Sequence, residues 1–230
     1  MTQNHDNSQL LKLDWVPTDY HFFPAIFSFI SLVIYPANNG TFHFQPTSEE
    51  DVITILKRLK RNKVGAFGMN SNVYKDLSQA ISNEDSLLIN GCFRESIFPI
   101  CAKKAHVLPI PKVKNSLKLE DYRPISIQTT LSKILEMAML QQIENFVQQN
   151  NVISTQQFGF RPGKSTEDLL QKLNTKIRLN LNAGYLSILI LLDFSKAFDT
   201  LSHEKLISKL LKVGFGIAAT KLLINYLRNR

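Results

Sequence analysis

The stretch LLDFSKAFD (191–199) sets a carboxylate where chemistry can happen. It closes the run GYLSILILLD (184–193), whose nearly unbroken apolar character predicts a strand buried on both faces, with Asp193 at its carboxyl end. A carboxylate beside buried apolar surface is costly unless it reaches water or a cation. Hard divalent cations such as magnesium take carboxylate oxygens and bridge them to phosphates. Asp193 therefore either ligates such an ion or caps the turn that follows. Asp199 is set off from the strand tip by a turn and by Phe198, and reads as structural.

A second stretch, GFRPGKST (159–166), has the residue types of a phosphate-gripping loop. A nucleotide-binding P-loop needs four residues between its glycines, so that successive backbone N–H groups curl round a phosphate. Only three separate Gly159 from Gly163, and Pro162 removes one of the donors. A P-loop NTPase is therefore the disfavoured alternative. The competing reading is a turn followed by a capped helix. Ser165 or Thr166 can cap, Glu167 and Asp168 suit the first turn, and Leu169, Leu170, Leu173 and Ile177 form an apolar stripe.

These residues need a scaffold, and most of it is legible as helix. SEEDVITILKRLKRNKVG, from Ser48, has a capping serine and acids in its first turn. Val52, Ile55, Leu56 and Leu59 lie on one face, bases come late, and Gly65 marks the stop. Residues 65–72 read as a loop and about 72–93 as a helix. AHVLPIPK (105–112) reads as a strand that its prolines confine to an edge, and NSLKLEDYRPISI as a polar turn leading into a second extended piece. Residues 130–149 predict a helix bearing Ile134, Leu135, Ala138, Ile143, Phe146 and Val147. Further helices are expected over 166–182, over 202–213 with Ser202 as cap and Gly214 as stop, and over 217–227. The strand at 186–193 is expected at the centre of a small antiparallel sheet, with helices 166–182 and 202–213 on one face.

Composition bounds the partners. With 230 residues, 44% hydrophobic and 20% charged, the chain has material for one large domain or two small ones and is not wholly disordered. The net charge of +8 is uneven: residues 1–50 hold one base and five acids, leaving 26 bases against 14 acids, or +12, in residues 51–230. A body this basic suits a polyanion such as nucleic acid, or is simply a surface of solvated lysines. Cys92 and Cys101 form no metal-type pair and are expected as two buried free thiols. The start of the chain lacks the basic, then apolar, pattern of a signal peptide. The uncharged run FFPAIFSFISLVIY (22–35) is interrupted by Pro24 and falls short of the ~20 apolar residues of a membrane span. It is expected as a buried segment or a foreign leader; no membrane partner is expected.

Five collinear stretches carry a resemblance: FPICAKKAHVLPIPK (98–112), YRPISI (122–127), LSKILEMAMLQQIENFV (131–147), QQFGFRPGKST (156–166) and LLDFSKAFDTLSHEKLISKL (191–210). Together the chain resembles the reverse transcriptase domain of non-LTR (LINE-type) retrotransposons over residues 46–230, with 1–45 an atypical leader assigned to no domain. The resemblance implies an α+β class: right-hand polymerase fingers and partial palm, a small antiparallel sheet and packed helices. It implies RNA-directed DNA synthesis, with an RNA template, a DNA primer, deoxynucleoside triphosphates and Mg2+. By the same resemblance Asp193 is the first metal-binding, catalytic carboxylate, and Phe198 is the aromatic residue that crowds the sugar 2′ position. Lys112 and Arg123 match finger positions that contact the incoming triphosphate. GFRPGKST matches the family's glycine turn beside the nucleic-acid cleft, with Arg161 and Lys164 as phosphate contacts. Read without the resemblance, Phe198 is a core residue and Lys112 a solvated loop lysine.

Two departures qualify what is expected of these residues. Phe67 stands in VGAFGMNS where the family usually carries an aspartate, and no aromatic-Ala-Asp-Asp segment occurs in the sequence. The chain is thus expected to be a fragment without the rest of the palm or the thumb, inactive by itself. The alternative is a non-catalytic remnant that still binds nucleic acid.

Overall fold

The computed structural model describes residues 40–68, 70–114, 118, 121–192 and 201–228. Its elements run α1 (Glu49–Arg58), a 3-10 turn (Ala66–Gly68), α2 (Ser71–Asp76), α3 (Ser78–Glu95) and α4 (Ile100–Lys103). Then come β1 (Ala105–Pro111), β2 (Tyr122–Gln128), α5 (Thr130–Gln149), α6 (Thr166–Asn182), α7 (His203–Val213) and α8 (Ile217–Leu227). The class is α+β: helices built round one core, and a small antiparallel sheet of two strands among the described residues.

Local signals start and stop the helices. Ser48 and Asp51 form a capping box at α1, in which each side chain takes up the other's backbone N–H. Lys75 closes the other end, donating to the carbonyls of Lys57 and Leu59 that α1 leaves open. The helix ends at Arg58, well before Gly65. The helix expected over 72–93 is two, α2 and α3, with the chain turning at Leu77 (φ −92°, ψ 7°). Gly214, at φ 107°, ends α7 in the left-handed conformation that a side chain would strain.

The core joins α1, α3, α5, α7 and α8. Val52 and Leu56 of α1, Ile134 of α5 and Leu222 of α8 are all fully buried. The segment before α1 is stitched to the α7–α8 corner: Phe42 N–H donates to the Gly214 carbonyl (2.8 Å) and Gly216 N–H to the Phe42 carbonyl (2.9 Å). The Phe42 ring packs 4.6 Å from Phe215 and 5.1 Å from Phe146. Within this core Glu136, only 2% exposed, accepts hydrogen bonds from Gln128 Nε2 (2.9 Å) and Tyr226 Oη (2.9 Å).

Three expectations are corrected. Residues 186–192 form no strand and lie open to solvent, with Leu186 93% and Leu192 88% exposed. A strand buries both faces only when neighbours take up its backbone groups, and the described sheet, β1 with β2, does not extend to this run. Nor does α6 pack as its stripe implied: it buries no residue, and Leu169 and Leu170 are exposed. The expected packing of helices 166–182 and 202–213 on one face of that strand is not seen; α7 packs against α8 instead. Of the two thiols only Cys92 is buried; Cys101 is exposed on the short α4, and both are free. The leader run 22–35 lies outside the described residues, among which no helix is long and apolar enough to cross a membrane.

Candidate nucleic-acid interface

Two basic features stand out from the helical core. The first is the β1–β2 hairpin. Pro109 faces Pro124 across it, so neither has an N–H to give the ladder there, and every residue of β1 is exposed. The register sets Ile110 opposite Arg123, and the Lys112 N–H extends the ladder by donating to the Asp121 carbonyl (2.6 Å). Side chains alternate along a strand and directly opposed residues share a face. Ile110, Lys112, Asp121 and Arg123 therefore share one face near the tip of the hairpin, where the connection between the strands begins. Lys112 and Arg123, 11 positions apart in sequence, are brought together as diagonal neighbours, both exposed.

The second feature is the glycine turn. Arg161 Nη1 donates to the Ser154 carbonyl (2.9 Å), closing the turn on itself. The Lys164 N–H donates to the Arg161 carbonyl (3.2 Å), and Gly163 supplies a φ of 71° at the bend. A backbone amide spent inside the turn is not offered to a phosphate, and no strand leads into 151–164 as a P-loop requires. Ser165 then caps α6 in a second capping box with Asp168. Bonds from the Ser165 hydroxyl and backbone N–H hold the Asp168 carboxyl below its usual range, helped by the charge of Lys164.

The turn folds over α6 and leaves an open cleft of about 790 Å³ between them. Its lining includes Gln156, Phe158, Lys164, Gln171, Lys172 and Lys176. Lys164 Nζ lies 5.6 Å and Lys172 Nζ 5.4 Å from the centroid of the same Phe158 ring, and Lys172 Nζ also donates to Gln156 Oε1 (2.6 Å). Phe158, Lys172 and Lys176 were not singled out by sequence. The available signal was the four-residue spacing of the two lysines, which puts both on one face of α6.

Asp193 and Phe198 lie outside the described residues. Among the described residues no three His, Cys, Asp or Glu side chains converge to hold a metal ion. Of the six site residues expected from sequence, four are thus placed: Lys112 with Arg123 on the hairpin, Arg161 with Lys164 in the turn.

Comparison with known proteins bears on both features. Residues 110–229 match the family model described as reverse transcriptase (RNA-dependent DNA polymerase), a span running from the tip of β1 to the end of α8. The chain is 29% identical over 188 residues to the "Probable RNA-directed DNA polymerase from transposon BS" of Drosophila melanogaster, covering 81% of this chain and 21% of that protein. It is 27% identical over 166 residues to the RNA-directed DNA polymerase from mobile element jockey of Drosophila funebris, covering 71% and 18%. It is 28% identical over 164 residues to the Pol polyprotein from type-1 retrotransposable element R1 of Bradysia coprophila, covering 70% and 16%. The chain spans about a fifth of the length of the curated relatives it matches.

Proposed function

Because the chain belongs to the reverse transcriptase (RNA-dependent DNA polymerase) family, we propose that residues 46–230 are the fingers and first part of the palm of a retrotransposon RNA-directed DNA polymerase. The observation that carries this reading is the family match over 110–229, which takes in the tip of the basic hairpin, the glycine turn and Asp193 in one span. In this role the domain holds an RNA template paired to a DNA primer and positions a deoxynucleoside triphosphate.

The residues divide the work by chemistry. Arg123 offers a planar fork of donors suited to two phosphate oxygens at once, and Lys112 a compact charge on the same face of the hairpin. Together they draw the triphosphate to the fingers and offset its charge. Arg161 and Lys164 hold the nucleic-acid backbone beside the turn; Arg161 does so with the guanidinium N–H groups that the Ser154 carbonyl leaves over. Phe198 excludes a 2′-hydroxyl by size. Family members use divalent cations, and a bound Mg2+ would neutralise phosphate charge beside Asp193. The described residues offer no convergent set of ligands for such an ion.

The 230-residue polypeptide by itself is proposed to bind nucleic acid without extending a primer. One matched carboxylate recruits a hydrated ion without fixing it, and catalysis of phosphoryl transfer rests on fixed charges. The test is an RNA template–DNA primer duplex given to the chain with deoxynucleotides and magnesium. Binding that weakens steeply with salt is expected, with no extension by the parent or by Asp193→Ala. Lys112→Ala with Arg123→Ala should lower retention of the triphosphate. Absence of binding at low salt overturns the proposal, and extension that vanishes in Asp193→Ala overturns its second half.

A further inference from the structure

We propose that the exposed run 185–192 is a self-association surface, which pairs antiparallel with the same run of a second copy of this chain and closes a two-fold symmetric dimer. The inference is independent of the nucleic-acid reading.

The run combines apolar composition with exposure along its whole length. Its seven large side chains are between 52% (Leu189) and 93% (Leu186) exposed. Contiguous apolar surface of this kind marks an interaction site. Its combined area matches the roughly 800 Å² that each partner of a standard stable interface contributes. The backbone is open as well. Among the described residues, 186–192 make no backbone hydrogen bond, and unpaired N–H and C=O groups are a template for another strand. Two bonds tether the start of the run to α6: the Tyr185 N–H donates to the Asn180 carbonyl (2.9 Å), and Asn180 Nδ2 donates to Ser187 Oγ (3.0 Å).

The run itself decides the partner. It carries no charge, and its polar side chains are the hydroxyls of Tyr185 and Ser187, so it has no charge pattern with which to select a foreign surface. An identical copy is complementary to it. Leu186, Ile188, Ile190 and Leu192, between 76% and 93% exposed, fall on one face once the run is extended. Directly opposed residues of an antiparallel pair share a face. A register centred on Leu189 therefore sets Leu186 against Leu192 of the second copy and Ile188 against its Ile190, leaving none of the four unmatched. A two-stranded ribbon is marginal in water unless a helix covers it. The adjoining α6 buries no residue and leaves Leu169, Leu170, Leu179 and Leu181 exposed to provide that cover. A two-fold pair occupies both runs and stops growing, whereas a parallel stack stays open-ended. The basic bodies of two copies repel each other, so screening by salt strengthens the dimer, the opposite of its effect on nucleic-acid binding.

The experiment is sedimentation velocity on the full chain without nucleic acid, from about 1 to 100 μM protein and at low and physiological salt. The parent should dimerise, more tightly at the higher salt. I188K with I190K should weaken association about tenfold or more, and I188V with I190V should keep it within about threefold. Both pairs should leave thermal unfolding unchanged, because the two side chains are exposed. A second measurement reads the register. In a Cys101→Ser background, which removes the exposed native thiol, Leu189→Cys should cross-link two copies under mild oxidation and Leu186→Cys should not. A parent that stays monomeric throughout, undiminished association in I188K/I190K, or open-ended assemblies in place of dimers would overturn the proposal. Cross-linking of L186C as fast as L189C would do the same. Monomers that bind neutral lipid vesicles through the run would assign the surface to a membrane instead.

Discussion

Glu136 sits buried on α5 and ties together parts of the chain that are remote in sequence. Its Oε1 accepts from Gln128 at the end of β2, from Ser132 one turn earlier (3.3 Å), and from Tyr226 of α8. A buried carboxyl is tolerated when donors converge on it, and these donors anchor the base of the exposed hairpin to the helical core. His203 is a contrasting case. Burial lowers its pKa from the usual 6.5, and as the first residue of α7 it also meets the positive end of a helix dipole. The folded state therefore binds this proton less readily than the unfolded state. Its contribution to stability is complete above pH 6.5 and declines as the pH falls through 6.5 towards the lower folded value. Urea midpoints should drop between about pH 7 and pH 5, and His203→Gln should flatten that part of the profile. An unchanged slope in the variant would assign the drop to other groups.

At the level of elements, the corner between α7 and α8 is set by close backbone contact. A Cβ added at Gly216 would lie 2.4 Å from His43 Cε1 and 3.0 Å from the Phe42 carbonyl oxygen. The His43 ring can swing away, but the carbonyl is held by its bond from the Gly216 N–H. Gly216→Ala should therefore cost about 1–3 kcal/mol, read from chemical unfolding, by prising the Phe42 segment off the corner. The two capping boxes make a second prediction because they differ only in what they support. α1 buries Val52, Ile55 and Leu56, so Ser48→Ala should lower global stability by about 1 kcal/mol. α6 buries nothing, so Ser165→Ala should leave the global midpoint in place and instead speed amide exchange in the first turn of α6. A shift of the global midpoint in Ser165→Ala would mean that α6 unfolds together with the core.

For the whole molecule, one helical core carries basic appendages. Leu222 is fully buried among residues from several helices, and Leu222→Ala should cost about 2–5 kcal/mol in urea unfolding as a single cooperative loss. Loss of only a subset of the helical signal would show that α7 and α8 fold apart from the rest. The hairpin, the glycine turn and α6 contribute little to that core.

Local chemistry was enough to place many elements. The limits of α5 (Thr130–Gln149), α6 (Thr166–Asn182) and α8 (Ile217–Leu227) follow from caps and periodicity, which act within a turn or two of the chain. The extended character of 105–112 was readable from prolines and alternation, and the family from five ordered stretches; the antiparallel pairing with 122–128 came from the structure. Burial was not readable in the same way. The stripe of α6 and the run 186–192 have the composition of core elements, yet the run and Leu169 and Leu170 of the stripe stand in solvent while Leu173 and Ile177 are only half-buried, because burial belongs to the neighbours a segment finds and not to the segment. The burial of Glu136 carried no local signal for the same reason. The pairing of Lys112 with Arg123 needed the hairpin register, and the meeting of Lys164 and Lys172 over Phe158 needed the turn to fold back on α6. Residue types and their spacing determined which groups could meet a phosphate; the long-range packing of backbone segments decided which of them share a face or a cleft.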